Sequence, residues 1–310
     1  MAIRIAVIGV GYLGRHHARL LHSLPEAELC GVVDADPARA RAVAAEFATR
    51  SYLSLDDLPP DLQAATIAVP TAAHRSVAVA CLKRGWSVMV EKPLAASPRE
   101  GKEIVQAAEQ AGRILQVGHT ERYNPALRAS VSRILRPRFV EAHRLGTFAA
   151  RSLDVDVILD LMIHDLDLVR SFDPSPVVSV AAVGVQALTD KMDIANARIQ
   201  FESGCVANLT ASRISTDRVR KIRIFQNDSY LGIDTAAQEV ACYRLDRQGG
   251  SPRIVQDTVP VAKDEPLRVE LASFLEAVAH RRRPIVSGED GLAALELAER
   301  VRSVLREGGT

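Results

Sequence analysis

Three groups of residues in this 310-residue chain have the types and spacing to do chemistry. The first is Glu91-Lys92-Pro93, an acid, a base and a proline ending the apolar run Val88-Met89-Val90. A lysine there either belongs to a solvated turn or is a cation that a buried strand delivers to a site. The second is Asp160 and His164, within DVDVILDLMIHDLDLVRSF. Asp156, Asp160, His164, Asp167 and Ser171 recur every three to four residues and form one polar stripe on a helix. That stripe either faces water, with Asp160 and His164 an i,i+4 pair, or lines a site where Asp160 orients and charges an imidazole. A metal set of Asp160, His164 and Asp165 lacks a second histidine or cysteine cluster to complete it, so no metal is expected.

The third group is Gly9, Gly11 and Gly14 at G-x-G-x-x-G spacing, with Asp34 further on in CGVVDAD. Its chemistry is recognition of a dinucleotide. Gly9 permits a tight turn, Gly11 lets a pyrophosphate approach the backbone, and Gly14 lets helix and strand pack closely. A helix beginning near Leu13 directs unpaired N–H groups at the phosphates, with Tyr12 and Leu13 among the residues expected to bind the cofactor. Asp34 stands at the offset of an acid that accepts the ribose hydroxyls and repels a 2′-phosphate. NAD is therefore expected over NADP, with Arg39, on the next helix, the one residue pulling the other way.

These residues need elements to position them. Up to about Thr120 the chain alternates β-rich runs (IRIAVIGV, ELCGVVDAD, AATIAVP, WSVMVEKP, RILQVGH) with helical stretches such as PARARAVAAEFA and SPREGKEIVQAAEQAG. That grammar predicts βαβ units and a parallel, doubly wound sheet. Beyond Tyr123 it changes. One long helix is predicted over 156–172, and DIANARIQF then alternates residue by residue before a turn at Glu202-Ser203-Gly204 into CVANLTASRI, an antiparallel hairpin with one covered face. Two helices, 267–282 and 290–306, close the chain. The expected fold is α/β: a Rossmann domain over 1–120 and an α+β domain with an open, largely antiparallel sheet over 121–310. Its last helix, about 289–306, is free to pack back on the first domain.

Bulk composition excludes several classes. With 39 basic and 38 acidic residues the net charge is +1, which removes the electrostatic case for a nucleic-acid or anionic-membrane surface. The four cysteines form no CxxC pair, which argues against zinc knuckles and a disulfide framework and favours the cytoplasm. Ile3 to Val10 is a strand rather than a leader peptide, and no stretch is long and apolar enough for a membrane span.

Together, GVGYLGRHHA, VPTAAH, the EKP at Glu91-Lys92-Pro93 and the D-x-x-x-H of Asp160 and His164 resemble the glucose-fructose oxidoreductase/inositol dehydrogenase (Gfo/Idh/MocA) family, in the family's order and over essentially the whole chain. The resemblance implies that Lys92 stands at the carboxyl edge of the Rossmann sheet facing substrate and nicotinamide, and that Asp160 and His164 project toward it. It also implies that Pro70, Thr71, His74 and Glu91 lie along the cofactor. VGHTERYNPALR and the residues around the Asp-His helix look like the branch that includes UDP-N-acetylglucosamine 3-dehydrogenases. Arg122, Tyr123 and Asn124 match its segment beside the sugar nucleotide, and Arg122, Arg144 and Arg151 are candidates for bidentate bonds to a diphosphate.

The activity implied is oxidation of a sugar secondary alcohol with hydride passing to NAD⁺, with inositol, polyol and simple hexose dehydrogenases as the alternatives. Such a reaction needs a base for the hydroxyl proton and a donor for the developing oxyanion. His164 and Lys92 suit these roles in that order, although a lysine crowded by positive groups can also serve as the base. A non-catalytic dinucleotide-binding regulator is the reading of another class; the intact set of Lys92, Asp160 and His164 argues against it. The expected partners are a small sugar or nucleotide-sugar substrate and further copies of the chain, in a homodimer or homotetramer through the second sheet, whose uncovered face would invite a partner.

Overall fold

A computed structural model of the chain describes residues 2–148, 155–248 and 251–307. These fall into two compact units, one formed by Met1–Thr120 with Glu265–Leu295, the other by Glu121–Asp264 with Glu296–Thr310.

The first unit is a parallel six-stranded sheet. Its strands are β1 (Ile3–Ile8), β2 (Ala27–Val33), β3 (Ser51–Tyr52), β4 (Ala64–Ile67), β5 (Ser87–Glu91) and β6 (Leu115–Gly118), in the order β3-β2-β1-β4-β5-β6. The order reverses beside β1, which makes the carboxyl ends of β1 and β4 the switch point where such sheets bind ligands. The connecting helices are α1 (Tyr12–Ser23), α2 (Pro37–Glu46), α3 (Thr71–Lys83) and α4 (Pro98–Ala111). β5 is buried along its whole length, as a central parallel strand covered on both faces must be.

In the second unit α5 (Pro125–Ser130) leads into β7 (Phe139–Leu145), followed by α6 (Ile163–Phe172). The strands β8 (Val177–Val185), β9 (Ile194–Phe201), β10 (Val206–Ser212), β11 (Val219–Phe225), β12 (Ser229–Asp234), β13 (Glu239–Asp246) and β14 (Arg253–Asp257) complete an eight-stranded sheet ordered β14-β13-β12-β11-β7-β10-β9-β8. Every neighbouring pair is antiparallel except β7 and β10. β9 alternates as the sequence predicts: Ala195, Ala197, Ile199 and Phe201 are buried, while Asn196, Arg198 and Gln200 are exposed. Two helices end the chain, α7 (Pro266–His280) and α8 (Gly288–Glu307). α7 returns to the first unit, where Leu271, Phe274 and Leu275 join the core around Ile5, Val7 and Leu21. The last of the three boundaries between the units falls inside α8.

Candidate active site

The glycine loop is built by contact rather than by flexibility. Gly9 has φ +83°, and a Cβ there would stand 2.8 Å from the backbone of Ala68. A Cβ on Gly14 would lie 1.8 Å from the carbonyl oxygen of Gly9. Gly11 is different: a Cβ there meets nothing within 4 Å, so packing does not require a glycine at this position and the loop is open on that side. α1 starts at this loop without a side-chain cap and without an acid in its first turn, so its N–H groups and positive end remain available to an anion. Tyr12 and Leu13 are exposed at its tip. Asp34, at the end of β2, is fastened from two sides: Oδ2 accepts from Val10 N–H at 2.9 Å and Oδ1 from Asp36 N–H at 2.9 Å. Arg39 reaches Asp34 Oδ1 at 3.4 Å from an exposed position. Pro70 and Thr71 open α3, another helix start without a side-chain cap. The residues present therefore fit a dinucleotide with phosphates at α1 and a ribose at Asp34.

Lys92 follows the last residue of β5, and the Lys92–Pro93 peptide is cis. Its neighbours are anchored while Lys92 itself is partly exposed. Glu91 is buried and accepts a hydrogen bond from His17 Nε2 at 2.9 Å. It fills a slot beside Gly118, where a Cβ would come within 2.9 Å of its Oε2. Burial acts to raise the Glu91 pKa, but the bond from His17 and the nearby His17, Lys92 and His74 outweigh it and hold the carboxyl below its usual range. After the lysine, the carbonyl of Pro93 faces His74 Nδ1 at 2.9 Å, and His74 Nε2 faces the carbonyl of Val69 at 3.0 Å. Glu91 and His74, expected along the cofactor, thus turn their polar atoms onto the protein itself.

In the second unit the Asp-His helix opens with a π-helical turn, Ile158–Met162, which passes into α6. The N–H of Ile163 reaches back to the carbonyl of Ile158. Such wide turns recur at functional sites, and this one contains Asp160. The entry to the turn is held from three separate segments, the loops before β9 and after β10 and the helix α8. Val157 N–H donates to Met192 O at 3.0 Å, Arg213 Nη1 donates to Val155 O at 2.9 Å, and Arg302 Nε pairs with Asp156 at 2.7 Å. Arg213 is in turn fixed by Asp193, 2.9 Å away. Burial acts to raise the Asp193 pKa, yet the N–H groups of Leu188, Thr189 and Ala187 and the Thr189 hydroxyl overcome it, leaving the carboxyl well below its usual range. Asp160 and His164 are partly exposed, whereas Asp165 and Asp167 are buried. The stripe is therefore not a face turned wholly to water.

The expected substrate residues divide. Arg144 is 2% exposed and does not offer its fork to a diphosphate: Nε and Nη2 bond both oxygens of Asp165 at 2.9 and 2.7 Å, and Nη1 bonds Glu121 at 2.6 Å. Burial works against its charge, but Asp165 and Glu121 outweigh it and raise its pKa above the ordinary arginine value. Tyr123 is fully buried, and Asn124 caps α5 through Ala126 N–H while its amide donates to Thr235 O at 2.9 Å. Both are therefore part of the unit's interior. Arg122 stays partly exposed, 3.7 Å from Asp167. Arg151 lies outside the described residues. No group of His, Cys, Asp or Glu among the described residues is placed to hold a metal ion. His17, Asp193, Arg213 and Arg302 were not singled out by the sequence; no spacing marks them, because each acts on a distant partner.

A Rossmann unit with an open phosphate loop and a second unit built on a largely antiparallel sheet define a dinucleotide-binding oxidoreductase of two units. Comparison with known proteins gives the family. The model for an oxidoreductase family with an NAD-binding Rossmann fold matches residues 3–119, and that for the Gfo/Idh/MocA C-terminal domain matches residues 127–228. The chain belongs to the Gfo/Idh/MocA oxidoreductase family. It is 38% identical to UDP-N-acetylglucosamine 3-dehydrogenase of Acidithiobacillus ferrooxidans, covering 97% of this chain and 96% of that one. A solved structure of that enzyme superposes with a TM-score of 0.93 over 99% of both chains, at 37% identity. The scyllo-inositol 2-dehydrogenase (NAD⁺) of Bacillus subtilis is 28% identical, covering 99% of this chain and 95% of that one.

Proposed function

We propose that the protein oxidises the C3 hydroxyl of a UDP-N-acetylhexosamine with NAD⁺. The observation that carries this reading is the end-to-end likeness to UDP-N-acetylglucosamine 3-dehydrogenase, ten percentage points closer in identity than the inositol enzyme (38% against 28%). NAD⁺ supplies a hydride acceptor, bound by Gly9, Gly11, Tyr12, Leu13, Gly14, Asp34, Pro70 and Thr71. Asp34 favours NAD⁺ because its anchored carboxylate repels a 2′-phosphate; Arg39 beside it weakens that repulsion without removing it. His164 takes the hydroxyl proton as general base, Asp160 orients the imidazole, and the Lys92 ammonium stabilises negative charge on the same oxygen. Arg122 serves the diphosphate.

Isothermal titration of a panel of UDP-sugars, myo-inositol and simple hexoses in the presence of NAD⁺ tests the substrate class. UDP-N-acetylglucosamine is expected to bind most tightly, and preference for a free polyol would overturn the reading. NADP⁺ outperforming NAD⁺ in initial rates would overturn the cofactor assignment.

We also propose that a second copy packs on the open face of the second sheet. That face is mixed rather than simply apolar. Lys221, Arg223, Asn196 and Arg198 stand on it beside a cross-strand row of Phe139, Phe225, Tyr230 and Tyr243, with successive ring centroids 5.6, 5.0 and 6.0 Å apart, and Val183 and Val185 are exposed at one edge. Light scattering at micromolar concentration should show a dimer or tetramer; a monomer would contradict it. No helix among the described residues is long and apolar enough to cross a membrane, and the four thiols are free, which supports placement in the cytoplasm.

A further inference from the structure

Lys92 sits between two anchored residues, and the anchors are histidines from other elements. His17, on α1, holds Glu91; His74, on α3, faces the carbonyl of Pro93 with one nitrogen and that of Val69 with the other. Both rings are buried, at 0% and 1% exposure, so neither offers a face to substrate or cofactor. Leu94 and Ala95, which continue the turn, are fully buried as well. Val69 leads to the start of α3, so His74 links the turn after β5 to the turn after β4, two adjacent parallel strands.

We propose that His74 is a positioning residue for Lys92: by donating to the carbonyl of Pro93 from a buried seat against Val69 it locks the backbone that sets where the lysine ammonium stands. The inference rests on the assignment of Lys92 as the oxyanion donor. A neutral imidazole donates from one nitrogen, so one tie is always available, and the second forms on the protonated ring. Burial outweighs the opposite pull of the two carbonyls and the Glu91 carboxylate and holds the His74 pKa below its ordinary value, so the ring is neutral at neutral pH. The neutral ring holds the Lys92 turn as the Nδ1–H tautomer, which donates to the carbonyl of Pro93. A misplacement of about 1 Å in a reacting group can cost on the order of 10²-fold in rate, which sets the scale of the effect.

The experiment is a kinetic cycle on the full-length enzyme with NAD⁺ and UDP-N-acetylglucosamine, using His74→Leu, His74→Gln, Lys92→Ala and the His74→Leu/Lys92→Ala double variant, with NAD⁺ affinity and thermal stability measured for each. His74→Leu should lower kcat by about 10- to 10²-fold while leaving the Kd for NAD⁺ within about threefold. His74→Gln, which keeps an N–H donor, should recover part of that loss. In the Lys92→Ala background, His74→Leu should cost almost nothing further. A rise in the NAD⁺ Kd with unchanged kcat would overturn the proposal in favour of cofactor contact. The same kcat loss with and without Lys92 would overturn it in favour of general support of the fold. Unaltered turnover in Lys92→Ala alone would strike the assignment of the lysine, a result distinct from either. Should His74→Leu fail to fold, ¹⁵N spectra of histidine-labelled wild type, with His74→Gln as the assignment control, decide it: His74 must show a ring N–H shielded from solvent exchange, and a freely exchanging ring would overturn the proposal.

Discussion

The turn that carries Lys92 and the helix that carries Asp160 and His164 are held by different bonds. Around Lys92 the fastenings are two buried histidines, one on a carboxylate and one on backbone carbonyls. Around the helix they are ion pairs: Arg302 with Asp156, Arg213 with Asp193, and Arg144 with Asp165 and Glu121. The first unit leaves the loop after β1 open by using glycines and backbone. The second commits Arg144, Asp165, Asp193 and Arg213 to its own interior, where a pair must remain complete, since a lone buried charge is far costlier than the pair. An arginine in the second unit therefore has to be shown to be accessible before it is read as a ligand.

The largest effects should separate the chemistry from these fastenings. His164→Ala is expected to lower kcat by about 10²- to 10⁴-fold, the loss typical of a missing general base, and to leave NAD⁺ binding intact. Lys92→Ala should cost about 10²- to 10³-fold, as for one oriented donor. Steady-state kinetics and NAD⁺ titration check both. Arg144→Ala should instead lower stability by about 3–5 kcal/mol, because Asp165 and Glu121 are left buried without their cation. Arg122→Ala, which removes a longer pairing with Asp167 at 3.7 Å, should lower stability by less than that and raise KM for the nucleotide sugar. Equal melting temperatures for the two arginine variants would break the contrast.

A smaller effect should appear in acid. The pKa of Glu91 in the folded protein lies below its unfolded value near about 4.3. Its contribution to stability is thus fully present above that unfolded value and is lost as the pH falls through the folded one. Melting temperature measured from neutral pH downward should decline less steeply in Glu91→Gln than in the wild type over that acidic range. Parallel curves would mean that the His17 bond adds no stability. Asn124→Ala, which removes both the α5 cap and the bond to the Thr235 carbonyl, should cost about 1–3 kcal/mol, with kcat unchanged.

Much of the first unit was legible in the sequence because its determinants are local. Glycine spacing, an acid at a fixed offset and apolar runs bounded by turns each report on a few neighbouring residues. The two-residue β3 carries no such signal. In the second unit β9 and β10 were readable from alternation, but the π-helical turn was not. Its entry is held by Arg213, Met192 and Arg302 through Val155, Val157 and Asp156, partners remote in the chain. For the same reason Arg144 resembled a ligand until Asp165 and Glu121 were placed beside it.

The central claim is that Lys92 and His164 act on one oxygen of one substrate, and the most direct test is the kcat of Lys92→Ala/His164→Ala beside the two single variants on UDP-N-acetylglucosamine with NAD⁺. Groups that act as a unit are not additive, so the double variant should lose distinctly less than the product of the single losses. A loss equal to that product, or near-wild-type turnover in either single variant, would contradict the account.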